Sequence, residues 1–192
     1  MPIVNKQKQI KEIIRCGKDP VYFINKYLKI QHPTRGLIGF NTYPFQDECL
    51  EQFVDHRFNV ILKSRQLGIS TISAAYAVWL AAFYKDKNVL VIATGKETAK
   101  NLVTKVRVMY DGLPQWLKTN TEEINKLSLR FANGSQIKAI ASNESAGRSE
   151  ALSLLIIDEA AFIHNIDTIW TAAQQTLATG GGCIALSTPN GV

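Results

Sequence analysis

The stretch that most constrains the fold is a short loop between a predicted strand and a predicted helix. Residues 58–62 form a β-prone apolar run, and residues 70–84 are rich in alanine and apolar nearly all round the predicted helix. The loop between them holds one glycine, Gly68, and two cations, Lys63 and Arg65. A strand, a turn whose N–H groups point inward and a helix N-terminus together form a cradle for an anion. The layout is therefore typical of a phosphate-binding loop.

The loop matches the standard phosphate-loop pattern, G-x-x-x-x-G-K-[ST], only in part. Gly68 occupies the position of the second glycine, and Ser70 occupies that of the magnesium-binding hydroxyl. Ile69 stands at the usual lysine position, and Lys63 stands at the first glycine. Since isoleucine cannot neutralise the β and γ phosphates, a bound nucleoside triphosphate would need that charge from Lys63 or Arg65. On the loop alone, an ordinary strand-to-helix connection is the simpler interpretation.

A second sequence element favours the phosphate-binding interpretation over the ordinary connection. The apolar run 154–157 ends in two acids, Asp158 and Glu159. In a parallel sheet such a strand end would converge with the loop on one phosphate site. Magnesium keeps several waters, so Ser70, or its neighbour Thr71, would bind it directly and Asp158 through water. In ATP hydrolysis, Glu159 would polarise the water that attacks the γ-phosphate. The alternative role for Asp158 and Glu159 is to cap a helix.

Turn residues and hydrophobic periodicity divide the rest of the chain into alternating elements. Asp19 is the predicted cap of a helix that Pro20 opens, and Asn133-Gly134 is a predicted type I′ turn. Residues 58–62 are predicted as the first core strand. The alternation predicts an α/β fold with a central, mainly parallel sheet flanked by helices. The predicted helices are 3–15, 20–28, 47–54, 70–84, 96–110 and 167–178, and the predicted strands are 58–62, 88–93, 127–131, 136–140, 154–157 and 183–186, with a short extended segment at 37–40.

Composition narrows the class of protein. A chain of 192 residues with 46% apolar content can bury one sizeable core. Its longest apolar stretch, residues 72–84, is too short to span a membrane, and no signal peptide is recognisable, so we expect no membrane partner. Cys16, Cys49 and Cys183 are odd in number and far apart, which argues against disulfides and a cysteine-based zinc site and suits a reducing cytosol.

The net charge of +6 is unevenly distributed. Residues 1–35 carry eight Lys or Arg against two acids, whereas the remaining residues carry fourteen of each sign. The basic excess is therefore an N-terminal feature. It is either a surface for nucleic acid or a protein partner, or simply the solvated face of lysine-rich helices.

Three motifs together resemble those of a known family. They are Ser64-Arg65-Gln66-Leu67-Gly68 with Ser70-Thr71, then Leu155-Ile156-Ile157-Asp158-Glu159-Ala160, then Ser187-Thr188-Pro189-Asn190-Gly191. In this order and spacing they resemble the ATPase domain of the large terminase subunit of tailed bacteriophages, the motor that packages DNA into the procapsid. The resemblance spans roughly residues 40–191. It implies a P-loop NTPase of the additional-strand, catalytic-glutamate type that uses ATP and Mg²⁺.

The resemblance also implies a role for each matching residue. Glu159 would be the catalytic glutamate, and Asp158 with Ser70 would hold the metal. Gln46 would read the adenine edge beside an aromatic neighbour, Tyr43. Ser187, Thr188 and Pro189 would couple hydrolysis to movement. The implied phosphate loop comprises Lys63, Ser64, Arg65, Gln66, Leu67, Gly68, Ile69, Ser70 and Thr71.

The resemblance leaves the roles of three cations open: Lys63, Arg65 and Arg148. Some family members carry the loop lysine at the start of the loop, as Lys63 does here, so either Lys63 or Arg65 takes the phosphate role. The other would act as a sensor or as an internal arginine finger. Arg148, in a Gly/Ser loop, matches the region of an arginine thought to reach the neighbouring subunit's site, although a solvated arginine is the simpler interpretation of the residues alone. This role implies a homo-oligomeric ring, a pentamer by resemblance.

We therefore expect an ATP-hydrolysing motor domain that drives double-stranded DNA into the procapsid. Residues 1–35 would be a basic helical extension and 36–192 the ATPase domain, a truncation having removed the family's C-terminal nuclease. Its expected partners are DNA, the portal protein and the terminase small subunit, at the procapsid portal in the host cytoplasm. One alternative is a helicase-like DNA translocase, which the absent Gly-Lys-Thr disfavours. The other is a non-hydrolysing nucleotide-binding assembly module, which the intact Glu159 disfavours.

Overall fold

The structure, a computed structural model, describes residues 3–142 and 150–191. Within these ranges the chain forms six α-helices, nine β-strands and one short 3-10 helix, Ala160–Phe162. None of the helices described is long and apolar enough to cross a membrane. The helices are α1 Ile3–Lys18, α2 Pro20–Tyr27, α3 Pro44–Asp55, α4 Ile69–Phe83, α5 Lys96–Asp111 and α6 Ile166–Thr176. The strands are β1 Lys29–His32, β2 Gly36–Gly39, β3 Phe58–Leu62, β4 Asn88–Ala93, β5 Thr121–Ile124, β6 Ser128–Phe131, β7 Gln136–Ala141, β8 Leu154–Asp158 and β9 Gly182–Ser187.

Seven strands form one sheet in the order β3-β9-β8-β4-β7-β6-β5. The first five strands in this order run parallel, and β6 and β5 extend the sheet in antiparallel fashion. Leu155 of β8 is in register with Leu90 on one side and Cys183 on the other. The predicted α/β fold with a mainly parallel central sheet is confirmed.

The core lies on both faces of the central strands. Successive residues of β4 and β8 alternate between two apolar clusters. Val91 and Ile156 join the cluster that contains α4 and α5, whereas Leu90 and Leu155 join the cluster that contains α6. Because both faces are covered, these strands read in the sequence as continuous apolar runs rather than alternating ones.

Strand β3 corrects one prediction, because it is an edge strand and not a core strand. Within the described residues it pairs only with β9, and its side chains alternate between exposed and half-buried. Val60 is 88% exposed and Leu62 is 75% exposed. Ile61 packs against the core from one face, and on the other face the Phe58 ring is in aromatic contact, edge-on with Trp170 of α6. Apolar composition alone does not distinguish such a strand from a buried one.

The Asn133-Gly134 turn corrects a second prediction. The flanking strands β6 and β7 do form a hairpin, but only Gly134 has a positive φ, of 84°, so the turn is not type I′. The Asn133 side chain instead donates hydrogen bonds to the carbonyls of Ala81, at 2.8 Å, and Tyr84, at 3.2 Å. These tertiary hydrogen bonds tie the turn to the end of α4, which a local sequence pattern does not encode.

The N-terminal region contains a hairpin that the sequence did not predict. Strands β1 and β2 pair with Ile30 opposite Ile38. The hairpin therefore spans the position between residues 35 and 36, where the sequence analysis divides the basic extension from the ATPase domain. The predicted start of α2 is correct, since the Asp19 carboxylate accepts a hydrogen bond from the Tyr22 N–H at 2.8 Å. Helices α1 and α2 are joined through Glu12, whose pKa is lowered to about 2 by hydrogen bonds from Lys26 and two tyrosines.

The exposure difference between strands predicts a difference in stability. We expect Val91→Ala, in the fully buried β4, to lower the free energy of unfolding by about 2 kcal/mol, because two buried methyl groups are lost and a cavity remains. The same substitution at Val60 should change it by less than about 0.5 kcal/mol. Urea unfolding of both variants checks this, and equal losses would place β3 in the core after all.

Candidate functional site

The candidate site lies at the carboxyl ends of three adjacent parallel strands. Strand β3 ends before Lys63, β8 ends at Asp158 and β9 ends at Ser187. The Lys63 N–H donates a hydrogen bond to the Ser187 carbonyl at 2.9 Å, which extends the pairing of β3 and β9 into the loop. Adjacent parallel strands end at the same edge of a sheet, and ligands bind in the crevice there. The fold thus brings the three sequence motifs together.

The loop between β3 and α4 has the backbone shape of an anion cradle. Gln66 and Gly68 both adopt left-handed backbone conformations, with φ of 63° and 72°. Gly68 is the N-cap of α4, and its carbonyl accepts hydrogen bonds from the N–H groups of Thr71 and Ile72. A sharp reversal before a helix N-terminus leaves N–H groups free to face an anion. Residues 64–67 of the loop are exposed.

Ile69, which stands at the usual lysine position, is buried. It is 3% exposed and belongs to the core cluster that contains α4 and α5. Its side chain therefore serves packing, and only its backbone N–H remains for an anion. The positive charge of the site must come from elsewhere in the chain.

Lys63 points into the site. Its ammonium lies 2.5 Å from Oε1 of Glu159, and its side chain is only 8% exposed. Arg65, by contrast, is exposed and forms no salt bridge with any residue in the described ranges. Of the two loop cations, Lys63 is the one that contacts the motif on β8.

The Glu159 carboxylate is held by all three motifs. It follows β8, its Oε1 pairs with Lys63, and its Oε2 accepts hydrogen bonds from the Thr188 N–H at 2.9 Å and the Thr188 hydroxyl at 3.0 Å. Partial burial raises the pKa of Glu159, but these hydrogen bonds outweigh it, so the pKa lies below its usual range. Glu159 also has a φ of 54°, a strained conformation of the kind found at functional sites.

Asp158 and Ser70 lie against each other at the end of β8. The Ser70 hydroxyl donates a hydrogen bond to Asp158 Oδ1 at 2.9 Å, and Asp158 is 6% exposed. Burial raises the pKa of Asp158, and the Ser70 hydrogen bond and the Lys63 charge offset this only in part. A bound cation would favour the ionised carboxylate. A hydroxyl and a carboxylate are oxygen donors that suit Mg²⁺.

The third motif is anchored beside Glu159. Ser187 and Thr188 are both buried, and the Ser187 hydroxyl donates to the Thr188 carbonyl at 2.8 Å and accepts from the Ala161 N–H at 3.1 Å. Pro189 is exposed just beyond them. A displacement of Glu159 would therefore change the hydrogen bonds of Thr188 at the end of β9.

Gln46 connects the loop to the start of α3. Its side chain is 3% exposed, donates to the Leu67 carbonyl at 2.8 Å and accepts from the Tyr43 N–H at 3.1 Å. Its amide retains a second N–H and a second acceptor position for a ligand. Tyr43 is 63% exposed and stacks on Phe45 with an interplanar angle of 5°.

A cavity of 800 Å³ extends from this segment to the phosphate loop. It is bounded by the β1–β2 hairpin, by Tyr43 and Gln46, and by Gly68 and Thr71. Ligand pockets of about 300–1,000 Å³ are typical for small molecules. The cavity therefore offers space for a base between the aromatic segment and the loop.

Lys105 of α5 is a site residue that the sequence analysis missed. Its ammonium lies 3.3 Å from the Thr71 hydroxyl. Lys105 is exposed as a whole residue, but desolvation of its ammonium lowers its pKa, which the nearby Asp158 charge raises and Lys63 lowers further. The signal was present in the helix pattern, because Lys105 lies one turn from Leu102 and Met109, both on the buried face. A cation beside that face was a reason to look for a nearby anion.

Arg148, the predicted trans-acting arginine, lies outside the described residues, together with the rest of 143–149. Its role therefore stays a prediction.

The two N-cap glycines provide a matched test of the loop geometry. A Cβ at Gly68 would sit at a φ of +72° and 2.6 Å from Gln46 Nε2, whereas one at Gly95, the N-cap of α5, meets nothing within 4 Å. We expect Gly68→Ala to lower the free energy of unfolding by about 1–2 kcal/mol and Gly95→Ala by much less. Denaturant unfolding gives the energies, and the Gln46 side-chain amide resonance should move only in Gly68→Ala. An unmoved resonance would contradict the contact.

Known structures share this fold. The Thermus phage P74-26 large terminase ATPase domain aligns with a TM-score of 0.62 and 21% identity, covering 80% of this chain and 67% of that one. The HK97 bacteriophage large terminase aligns with a TM-score of 0.70 and 17% identity, covering 90% of this chain and 37% of that one. The large terminase of a thermophilic bacteriophage, in complex with ADP, aligns with a TM-score of 0.59 and 12% identity, covering 77% of this chain and 39% of that one. The chain thus spans well under half the length of these last two proteins.

A sequence model of one protein family matches most of the chain. The family is described as terminase large subunit, T4likevirus-type, N-terminal, and the match covers residues 60–191. It begins within β3 and includes the phosphate loop, the acidic pair after β8 and the motif after β9. This chain therefore belongs to the terminase large subunit family and corresponds to its N-terminal part.

Proposed function

We propose that this chain is the ATP-hydrolysing motor domain of a terminase large subunit, driving double-stranded DNA into the procapsid. The observation that carries the proposal is the Glu159 carboxylate, which touches Lys63 of the loop and Thr188 of the third motif. A general base that contacts both the phosphate-binding element and the end of a neighbouring strand is the arrangement a coupled ATPase needs. Membership of the terminase large subunit family supports it independently.

ATP binding uses the loop and the adjoining cavity. The phosphates lie against the N–H groups of the loop and the N-terminus of α4, where the helix dipole favours negative charge. The adenine lies in the cavity beside Tyr43, with Gln46 reading its edge. Lys63 supplies the charge that the buried Ile69 does not, since its ammonium is already directed into the site.

Ser70 and Asp158 would hold Mg²⁺, the hydroxyl as a direct ligand and the carboxylate through water, because both are oxygen donors that suit this ion. When bound, the ion neutralises charge on the β and γ phosphates. Asp158 is buried, so its negative charge is poorly compensated by solvent and attracts a cation strongly.

Glu159 orients and polarises the attacking water. In the structure the Lys63 ammonium donates a hydrogen bond to Oε1 of Glu159. Bound phosphates give Lys63 a second anionic partner, and Oε1 then becomes available to the water. The Thr188 hydrogen bonds hold Oε2 and fix the direction of the carboxylate. A shift of Glu159 between Lys63 and water is transmitted through Thr188 to the segment formed by Ser187, Thr188 and Pro189.

The assembly follows from the motor role. DNA is gripped through phosphate contacts with little reading of sequence. The chain works as a homo-oligomeric ring, a pentamer, with Arg148 completing the neighbour's site as an arginine finger and Arg65 acting as a sensor. The portal protein and the small subunit are its partners at the procapsid portal in the host cytoplasm. Residues 1–35 form a basic extension whose strand β1 pairs with β2 of the ATPase domain, residues 36–192.

One observation favours a second candidate function, a non-hydrolysing nucleotide-binding assembly module. The Lys63 ammonium neutralises the base that hydrolysis requires, and a protein in which this pair never parts would bind ATP without turning it over. The helicase-like translocase has no comparable observation in its favour.

The two candidates differ in the effect of Glu159→Gln. We expect this change to lower ATP turnover by about 10²–10⁴-fold, because it removes the base, while ATP binding is retained. Glu97→Gln on the exposed surface of α5 is the control and should leave turnover unchanged. Turnover should be measured with magnesium and double-stranded DNA over rising protein concentration. Background turnover in wild type and variant alike, with ATP still bound, would favour the assembly module.

The loop cations can be separated by a second pair of variants. We expect Lys63→Ala to weaken ATP binding by at least about tenfold, because a charge-assisted hydrogen bond to phosphate is lost. Arg65→Ala should weaken binding less, since Arg65 is exposed. Calorimetric titration with a non-hydrolysable ATP analogue measures both. The reverse order would assign the phosphate role to Arg65.

A further inference from the structure

We propose that Lys105 is a second phosphate-binding cation of the nucleotide site, reaching it from α5 and contacting the phosphate nearest the ribose. The inference rests on the proposed ATP site and adds to it a residue outside the three motifs. Its basis is the position of the Lys105 ammonium, 3.3 Å from the hydroxyl of Thr71 in the first turn of α4.

Thr71 fixes which part of the nucleotide Lys105 meets. Thr71 lines the 800 Å³ cavity that also contains Tyr43 and Gln46, where the base is placed. Its neighbour Ser70 donates a hydrogen bond to Asp158, and these two residues form the proposed Mg²⁺ site. Thr71 therefore lies between the base end and the metal end of the site, where the first phosphate of the nucleotide passes the helix N-terminus. The Lys105 ammonium, which lies beside the Thr71 hydroxyl, therefore faces that phosphate.

The charge balance of the site calls for such a cation. Among the described residues that contact one another there, the two carboxylates are Asp158, bonded to the Ser70 hydroxyl, and Glu159, paired with the single ammonium of Lys63. A site with excess negative charge repels a nucleotide that carries several negative charges. Lys105 brings the local charge to neutrality before the metal binds. Within residues 3–142 and 150–191, its one hydrogen-bonding partner is the neutral Thr71 hydroxyl, which leaves two ammonium N–H donors for a ligand.

The ammonium also has room to move. A second cavity, of 190 Å³, lies beside Lys105 between α5 and strand β1, and Thr71 lines it as well. Thr71 thus forms part of the wall of both cavities. The flexible stem of Lys105 therefore has space to turn while its ammonium stays near Thr71, on the wall of the cavity where the nucleotide is placed.

The proposal predicts equal losses for nucleotides that share the first phosphate. We expect Lys105→Met to weaken the binding of ADP and of a non-hydrolysable ATP analogue by the same factor, about tenfold, because one charge-assisted hydrogen bond is lost from each complex. Lys63→Met should weaken the ATP analogue more than ADP. Lys105→Arg keeps the charge and should restore most of the affinity. Lys100→Met, on the same helix and paired with Glu97, is the matched control and should bind as wild type does.

The measurement is calorimetric titration of the full chain with each nucleotide in the presence of magnesium, together with thermal unfolding of every variant. Unchanged affinity in Lys105→Met overturns the proposal, and so does a variant whose lowered melting temperature alone accounts for its weaker binding. Failure of the wild-type chain to bind either nucleotide would instead count against the proposed ATP site itself. The two failures are therefore distinguishable.

Discussion

The parallel pairing of β3, β9 and β8 is the constraint on which the site depends. Each strand contributes one motif, which lies at or just beyond its carboxyl end. A shift of one residue in either register would turn the alternating side chains to the opposite faces of the sheet and move the ends apart. The pairing is stabilised by burial of β8 on both faces and by the N–H of Lys63, which continues the ladder into the loop. Site geometry is thus a property of the sheet more than of the loop.

The second organising feature is the way charge is distributed where the standard lysine is missing. The Ile69 side chain is buried in the core, where it stabilises the packing of α4. Cations approach instead from the start of the loop, through Lys63, and from a neighbouring helix, through Lys105. The two ammonium groups are carried by different elements, the loop after β3 and helix α5. A single loop lysine does not provide that separation.

Much of the fold could be predicted from the sequence because its signals were local. The boundaries of β4, the cap at Asp19 and the extent of α5 follow from apolar runs and turn residues. The exposure of β3 could not be predicted, since an apolar run looks the same at the edge and in the middle of a sheet. The β1–β2 hairpin and the Asn133 turn depend on tertiary contacts. In the site, motif order predicted which residues meet. Lys105 lies outside the motifs, and its place beside the buried face of α5 does not by itself show that its ammonium reaches Thr71.

The exposed edge of β3 has a consequence for the behaviour of the molecule. Within the described ranges no strand pairs with the outer edge of β3, and Phe58, Val60 and Leu62 expose apolar side chains on one face of it. An apolar strand edge invites pairing with another polypeptide, and in isolation it promotes aggregation at high concentration. Because β3 leads straight into the loop that begins at Lys63, a strand that added to this edge would pair with the residues directly before the candidate site. The strand that is open to pairing and the strand that carries the loop are therefore the same five residues.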